Sequence, residues 1–250
     1  MTPLIVVAGT VIVIGVLLAI ARRLIPGEHK QPHHDVASAI FSMVGVLYAV
    51  ILAFVVIVVW ENDSKANDDA QIEANDVAKL YFTARSMPEP QRGELMGIAR
   101  DYAGVVTRDE WPLMQHSKTS PKARELVARM RGTAQGIQPA TAREEILMGG
   151  ALDAINELVD ARRQRTGALT SPVSPLMWGG LIAGSAITIG FTFFFDHSRF
   201  VPHLIMVGSM SALIAFTLWL IYDMSLPFSG TSAIGPDAFA QILQRFRDFP

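Results

Sequence analysis

The sequence predicts an all-α membrane protein in which four transmembrane helices, arranged as two hairpins, flank a helical extramembrane domain. Three observations predict it. Half of the 250 residues are apolar, only 18% are charged and the mean hydropathy is +0.32, a balance unlike that of a disordered chain or an ordinary soluble domain. Four stretches are long and apolar enough to cross about 30 Å of hydrocarbon, which takes roughly 20 helical residues. The polar sequence between the second and third stretches shows helical periodicity and no strand alternation.

The spans fall at about 4–21, 36–60, 176–195 and 204–222. The first lacks the pattern of a signal peptide. No Lys or Arg precedes it, and Arg22, Arg23, Leu24, Ile25 and Pro26 follow where small residues would be required. Trp60 ends the second span, Trp178 begins the third, and Trp219 and Tyr222 lie near the end of the fourth. Indole rings favour the headgroup boundary, and a four-pass topology places all three tryptophans at one interface. Both termini and residues 61–174 share that side, while the short loops around 22–35 and 196–202 lie on the other. Basic residues flank both sides, so the positive-inside rule does not orient the chain.

The resulting organisation is a first hairpin at 1–60, a helical domain at 61–174, a second hairpin at 175–223 and a C-terminal tail at 224–250. Residues 62–85 lack Pro and Gly and extend the second span out of the membrane as helix. Pro88 and Pro90 then make a turn. Leu95, Ile98, Ala99, Tyr102, Val105 and Val106 line one face of the next helix, which is expected to end near Trp111 and Pro112. Ser120 and Pro121 suit the N-cap and first position of a third helix carrying Leu126, Val127 and Met130. A fourth begins after Pro139 and carries Ile146, Leu147, Ala151, Leu152, Ile155, Leu158 and Val159.

Along the second span Ser38, Ser42, Gly45, Ala49 and Ala53 recur every three or four residues and share a helical face. Such a face serves tight helix packing. It also suits a pore: copies of this helix around an axis would enclose a polar entrance at Ser38 and Ser42, then Gly45 and Ala49, then a dry constriction near Leu52 and Val56 able to gate by dewetting. Six acids follow, Glu61, Asp63, Asp68, Asp69, Glu73 and Asp76, against the single base Lys65. On a lone helix these would be a solvated face. In a ring of copies they would form stacked negative belts, with Glu61, Asp63 and Asp68 at the mouth, and would concentrate cations.

His29, His33, His34, His197 and His203 gather in or beside the two loops opposite the helical domain. They are read as solvated loop residues or as a divalent-metal or pH-sensing surface, since imidazole titrates near neutrality. Arg162, Arg163 and Arg165, close to the third span, are expected to touch anionic lipid. No nucleic-acid partner is expected from 21 basic and 23 acidic residues with a net charge of −2. The absence of cysteine excludes disulfides and thiolate chemistry. With no HExxH, GxSxG, P-loop or GxGxxG pattern, an enzyme is not expected.

Three runs carry a resemblance: FSMVGVLYAVILAFVVIVVW at 41–60, DEWP at 109–112 and LPFSG at 226–230. They resemble a bacterial family called bestrophin-like, over nearly the whole chain, and more distantly the bestrophins themselves. Bestrophins are pentameric ion channels whose second membrane helix lines the pore with a hydrophobic neck and whose helical domains form a cytosolic vestibule. The resemblance implies a homo-oligomer conducting inorganic ions across the bacterial inner membrane, with the helical domain and both termini cytoplasmic. Thr231, Ser232, Ala233 and Ile234 stand where animal bestrophins carry a calcium-binding acidic cluster, so calcium gating is not implied. Together with the acids, this reading gives a cation-preferring channel. The alternative is a membrane-anchored sensor or scaffold whose helical domain binds a partner protein.

Overall fold

The computed structural model describes residues 3–24, 34–194 and 200–249. Their regular structure is all helical, joined by turns and short loops, with no strand among these described residues. The chain divides into a membrane unit, residues 1–60 and 172–225, and a helical unit, residues 61–171 and 226–250.

The membrane unit holds α1 (Pro3–Leu24), the first part of α2 (His34–Arg85), α7 (Pro175–Phe191) with a 3-10 turn at Thr192–Phe194, and α8 (Phe200–Met224). Its four apolar helices are the predicted spans, and at most 33% of the apolar stretch of any of them is buried inside the chain. Water would not tolerate so much uncovered Leu, Ile and Val, so the outer surface belongs to hydrocarbon or to other protein. α1 packs on α8, with Leu18 its buried anchor. Val55 and Val59 of α2 meet Val173, Leu181 of α7 and Ile221 of α8. Trp178 and Tyr222 lie 6.4 Å apart, as the shared interface predicts.

Hydrogen bonds of Tyr48 join α2 to α7. The buried Tyr48 hydroxyl donates to the Leu181 carbonyl at 2.9 Å and lies 2.6 Å from the Ser185 hydroxyl. Gly184 makes this approach possible: a Cβ there would stand 2.5 Å from two ring carbons of Tyr48. Gly184→Ala is therefore expected to destabilise the membrane unit by about 1–3 kcal/mol, the cost of overpacking a fitted contact. Thermal unfolding in detergent measures it, and an unchanged midpoint would show that the ring moves freely.

The 52 residues of α2 extend about 78 Å at 1.5 Å each, far beyond one hydrocarbon layer. Its apolar part ends at Trp60 and its remainder enters the helical unit with α3 (Gln91–Val105), a π turn (Val106–Glu110), α4 (Trp111–Met114), α5 (Pro121–Gln135), α6 (Ala142–Gly167) and α9 (Asp237–Asp248). Ala66, Ala70, Ala74, Val77, Tyr81 and Ala84 put a small-residue stripe of α2 into the core. The helices starting at Pro121 and after Pro139 form as the caps predict. In α6 Thr141 accepts from the Glu144 amide at 3.2 Å, and Glu144 accepts from the Ala140 amide at 2.8 Å.

Two expectations change. The helix expected to end at Trp111 and Pro112 runs through a π turn to Met114, because Pro112 falls in the first turn of α4, where its missing N–H costs no helical bond. The segment 224–250, read as a separate tail, carries α9, which docks Phe239, Ile242 and Phe246 into the core. Phe246 stacks on Tyr81 at 3.9 Å. A 12-residue helix is marginal alone, and the spacing of these apolar residues gives it one face to bury.

Candidate functional site

Within the membrane unit α2 turns one face inward: Tyr48, Val55 and Val59 are buried, with Phe41, Val44, Leu52 and Val56 half-buried beside them. Of the candidate pore residues, Ser38, Ser42 and Ala49 are exposed, and Gly45 is half-buried with nothing within 4 Å of where a Cβ would stand. Leu52 and Val56 lean inward, against the cluster around Val55 and Leu181. The small residues thus run along the edge of the outward face. Its centre is bulky, with Met43, Val46, Val50, Phe54 and Ile57 uncovered, Phe54 to 65%. Ser38 also lines a cleft of about 290 Å³ with Phe41, Thr192, His203 and Met206, bringing together two of the positions singled out in the sequence.

The six acids that follow divide by helical face. Glu61 and Asp68 are exposed and Asp63 is half-buried, so the three candidate mouth acids reach solvent. Asp69, Glu73 and Asp76 are buried in the helical unit, which removes them from the stacked belts expected of all six. Glu73 lies on the same α2 stripe as Ala66, Ala70 and Val77 and has no access to water.

Glu73 instead belongs to a closed group of charges. Arg165 of α6 donates to it through Nε at 2.6 Å and Nη2 at 3.0 Å. Arg165 Nη2 also reaches Glu110 Oε2 at 2.9 Å. Arg162 grips both oxygens of Glu110 at 2.6 Å and donates to the Tyr102 hydroxyl, which itself donates to Glu73. The Ser120 amide adds a bond to Glu110 at 2.9 Å. Two carboxylates face two guanidiniums, so the group is neutral, and its polar atoms are partnered as a buried ionic cluster requires.

The electrostatics follow from this pairing. Burial by itself would weaken the charge on Arg165, yet Glu73 and Glu110 hold the guanidinium above its ordinary value. The same contest raises Arg162, where Glu110 is the main partner. Burial raises the Tyr102 hydroxyl well above its ordinary value, assisted by the charge of Glu73. Burial acts against ionisation of Glu110 as well, but hydrogen bonds from Arg162 and the charge of Arg165 bring its carboxyl below the ordinary range. Arg162, Arg165 and Glu110 are thus held in their charged forms and Tyr102 in its hydrogen-donating form. The cluster ties α2, the π turn and α6 into one register.

This overturns the lipid-contact reading for two of the three arginines. Arg165 is fully buried and Arg162 nearly so; Arg163 alone is exposed, paired with Asp160 at 3.0 Å. The sequence held a signal for the cluster, an acid at Glu73 inside an otherwise apolar stripe, because such an acid must be paired or neutralised. Its partners, 92 residues away, carried no comparable mark.

The two short motifs meet in the same place. Trp111 of DEWP packs edge-on to Phe228 of LPFSG, with ring centroids 5.6 Å apart, and lies against Phe239 at 5.8 Å. Its indole donates to the Ile234 carbonyl at 2.9 Å, and the Arg165 guanidinium sits 5.2 Å from its ring.

Among the candidate histidines, His29, His33 and His197 lie outside the described residues, as does the side chain of His34. His203 is buried, its Nε2 at 3.1 Å from the Thr192 carbonyl. Among the described residues, no three His, Asp or Glu side chains are gathered closely enough to ligate a bare metal ion.

A family model for the Bestrophin-like domain matches residues 8–239. Three crystal structures of point variants of a bacterial bestrophin homolog from Klebsiella pneumoniae share the fold, with TM-scores of 0.66, 0.67 and 0.62 at 14% identity, each match covering 98% of this chain and 97% of the other. At that identity the likeness speaks for the fold alone. No curated protein matches the chain. The family match takes in most of both hairpins, the DEWP turn, the paired charges and the LPFSG segment that closes over Trp111, and the chain belongs to the Bestrophin-like family.

Proposed function

We propose that the protein is a homo-oligomeric, cation-preferring ion channel of the bacterial inner membrane, in which α2 of each copy lines the pore. Family membership and the shared fold of a bacterial bestrophin homolog support a channel in general. The observation that carries the finer reading is the face of α2 left uncovered from Ser38 to Ile57, with the solvent-reaching acids Glu61, Asp63 and Asp68 following it in the same helix. One helix cannot enclose an aqueous path, so several copies must contribute it. The bestrophin resemblance implies five, with the helical unit and both termini cytoplasmic.

In this reading Ser38, Ser42, Gly45 and Ala49 border the outer part of the path, and it is narrowed by uncovered apolar side chains at the same depth, Phe54 and Ile57, since Leu52 and Val56 pack inside the membrane unit. Such a constriction conducts only when wetted. The acids beyond it raise the local cation concentration through a potential of several kT, most strongly at low salt.

Reconstitution of the purified protein in planar bilayers under a KCl gradient tests this. The reversal potential is expected to shift from zero voltage toward the potassium equilibrium potential, and Glu61→Gln with Asp63→Asn is expected to lower the cation-to-anion permeability ratio by roughly threefold or more, as a potential of that size is reduced. Chloride preference would reject cation selectivity, and a particle no larger than a dimer would reject the axial pore.

A further inference from the structure

Beyond Trp60 the surface of α2 divides into a face that the helical unit covers and a face that it does not. Ala66, Ala70, Glu73, Val77 and Tyr81 are buried. Glu61, Asp68, Ile72, Asn75 and Lys79 are exposed on the opposite side. At about 100° per residue, this uncovered stripe is bordered by two clefts, one roughly 80° away to either hand. Each has a volume of about 270 Å³. One opens between α2 and α6 beside Asp69 and Asp76, the other between α2 and α9 beside Asn67, Gln71 and Asn75. Both therefore lie along the same turns of α2, residues 67–76.

The two flanks carry opposite chemistry. On the α6 side Asp153, Glu157 and Asp160 share one exposed helical face. Lys79 engages Glu157 at 2.5 Å and Arg163 engages Asp160 at 3.0 Å, while Asp153 has no ion pair among the described residues. Asp69 and Asp76 stand behind them, so this flank is negative. On the α9 side the groove presents four exposed amides, Asn67, Gln71, Asn75 and Gln241, together with the guanidinium of Arg245. Among the described residues, none of these five side chains makes a hydrogen bond or an ion pair. The acid in the lining, Asp237, sits in the first turn of α9, where the helix dipole favours it.

The heights match as well. Arg245 lines the groove with Asn75 and adjoins Phe246, which stacks on Tyr81. Glu157 reaches Lys79, and the charge of Asp153 acts on the same ammonium. The guanidinium on one flank and the carboxylates on the other therefore stand level with residues 75–81 of α2. Rotation about an axis carries a copy around that axis and not along it, so surfaces that meet in a ring must lie at one height.

We propose that the groove between α2 and α9 of one copy receives the acidic edge of α6 from the next copy. Arg245 pairs with Asp153 and Glu157 of the neighbouring copy, and the amides donate to carboxylate oxygens that Lys79 and Arg163 leave open. The occupant of the groove is a second copy of this chain, in a head-to-tail contact that a rotation repeats until the ring closes. The inference rests on the proposed arrangement of copies around α2 and adds the surface that holds their helical units together. Opposite charge at each contact favours the correct neighbour and opposes a back-to-back pair, in which acid would meet acid.

The sequence has no cysteine, so thiol crosslinking reads introduced positions alone. Asp153→Cys with Arg245→Cys changes two exposed side chains. A short bifunctional thiol reagent spans the separation of an Arg–Asp pair, which exceeds the reach of a direct disulfide. In membranes containing the full-length double variant it is expected to give a covalent ladder that extends beyond the dimer and stops at the ring, whereas each single variant stops at the dimer at most. Arg245→Glu is expected to raise the protein concentration at which the oligomer dissociates in detergent by about tenfold or more, and Asp153→Arg in the same chain to restore it. Particle mass, measured on the same samples, separates this contact from the ring itself. An oligomer larger than a dimer that neither crosslinks through this pair nor responds to Arg245→Glu would overturn the contact and leave the ring standing. A parent particle no larger than a dimer would remove both.

Discussion

Arg165→Met is expected to cost about 3–5 kcal/mol, because it removes the guanidinium paired with the buried Glu73 and leaves that carboxylate without a compensating charge, while Glu110 keeps Arg162. That is a large part of the roughly 5–15 kcal/mol that holds a typical domain together. The comparison of terms matters here. An intact buried cluster of two pairs contributes little net stability over apolar side chains of the same volume, since desolvation consumes most of the Coulomb gain. Its removal by halves is what costs. The cluster serves to fix which turn of α6 faces which turn of α2.

The pH dependence separates this account from lost packing. In the parent, Glu110 has a carboxyl held below its ordinary value, so the stability it contributes is present above the unfolded-state value and is lost as pH falls through the lower folded-state one. In Arg165→Met Glu73 is orphaned, and its protonation at low pH relieves the penalty. The deficit relative to the parent should shrink between pH 7.5 and pH 4. Thermal unfolding followed by near-ultraviolet circular dichroism reads both numbers, and a deficit that is constant with pH would assign the loss to packing.

Trp111→Ala should be comparably severe, about 3–5 kcal/mol, the usual range for deleting a buried indole. Trp111 is only 4% exposed and touches Phe228, Phe239 and Arg165 at once. Its loss opens a cavity beneath the segment that returns the chain from α8 to α9. Trp111→Phe retains most of the ring contact and gives up the hydrogen bond to the Ile234 carbonyl, worth about 1 kcal/mol. Because Trp111 lies against Arg165, the two substitutions should not add, with a coupling of about 0.5–3 kcal/mol in a double-mutant cycle. Strict additivity would mean that the motif junction and the charge cluster are independent.

Much of this fold is legible along the chain because its causes are local. Membrane spans follow from summed hydropathy, and helix limits in the helical unit follow from Pro88, Pro90, Ser120–Pro121 and Pro139, which act on the backbone beside them. Even the continuation of the second span to Arg85 follows from an uninterrupted run of helix formers. Segment 224–250 is different: Phe239, Ile242 and Phe246 give its helix one apolar face, but nothing nearby in the sequence names the surface that receives it.

The acids of α2 mark the boundary most clearly. Composition and spacing by themselves determined that a charged helix leaves the membrane after Trp60 and that its acids outnumber its bases. They could not determine which acids meet water, because consecutive carboxylates a hundred degrees apart on a helix face different neighbours, and the neighbours come from elsewhere in the chain. Tertiary structure sent Glu61 and Asp68 outward, closed Glu73 against Arg165 and Glu110, and left Asp76 buried at the edge of a cleft. The physical reason is that a helix is built from bonds four residues long, whereas the cost of a buried charge depends on partners that only packing can supply.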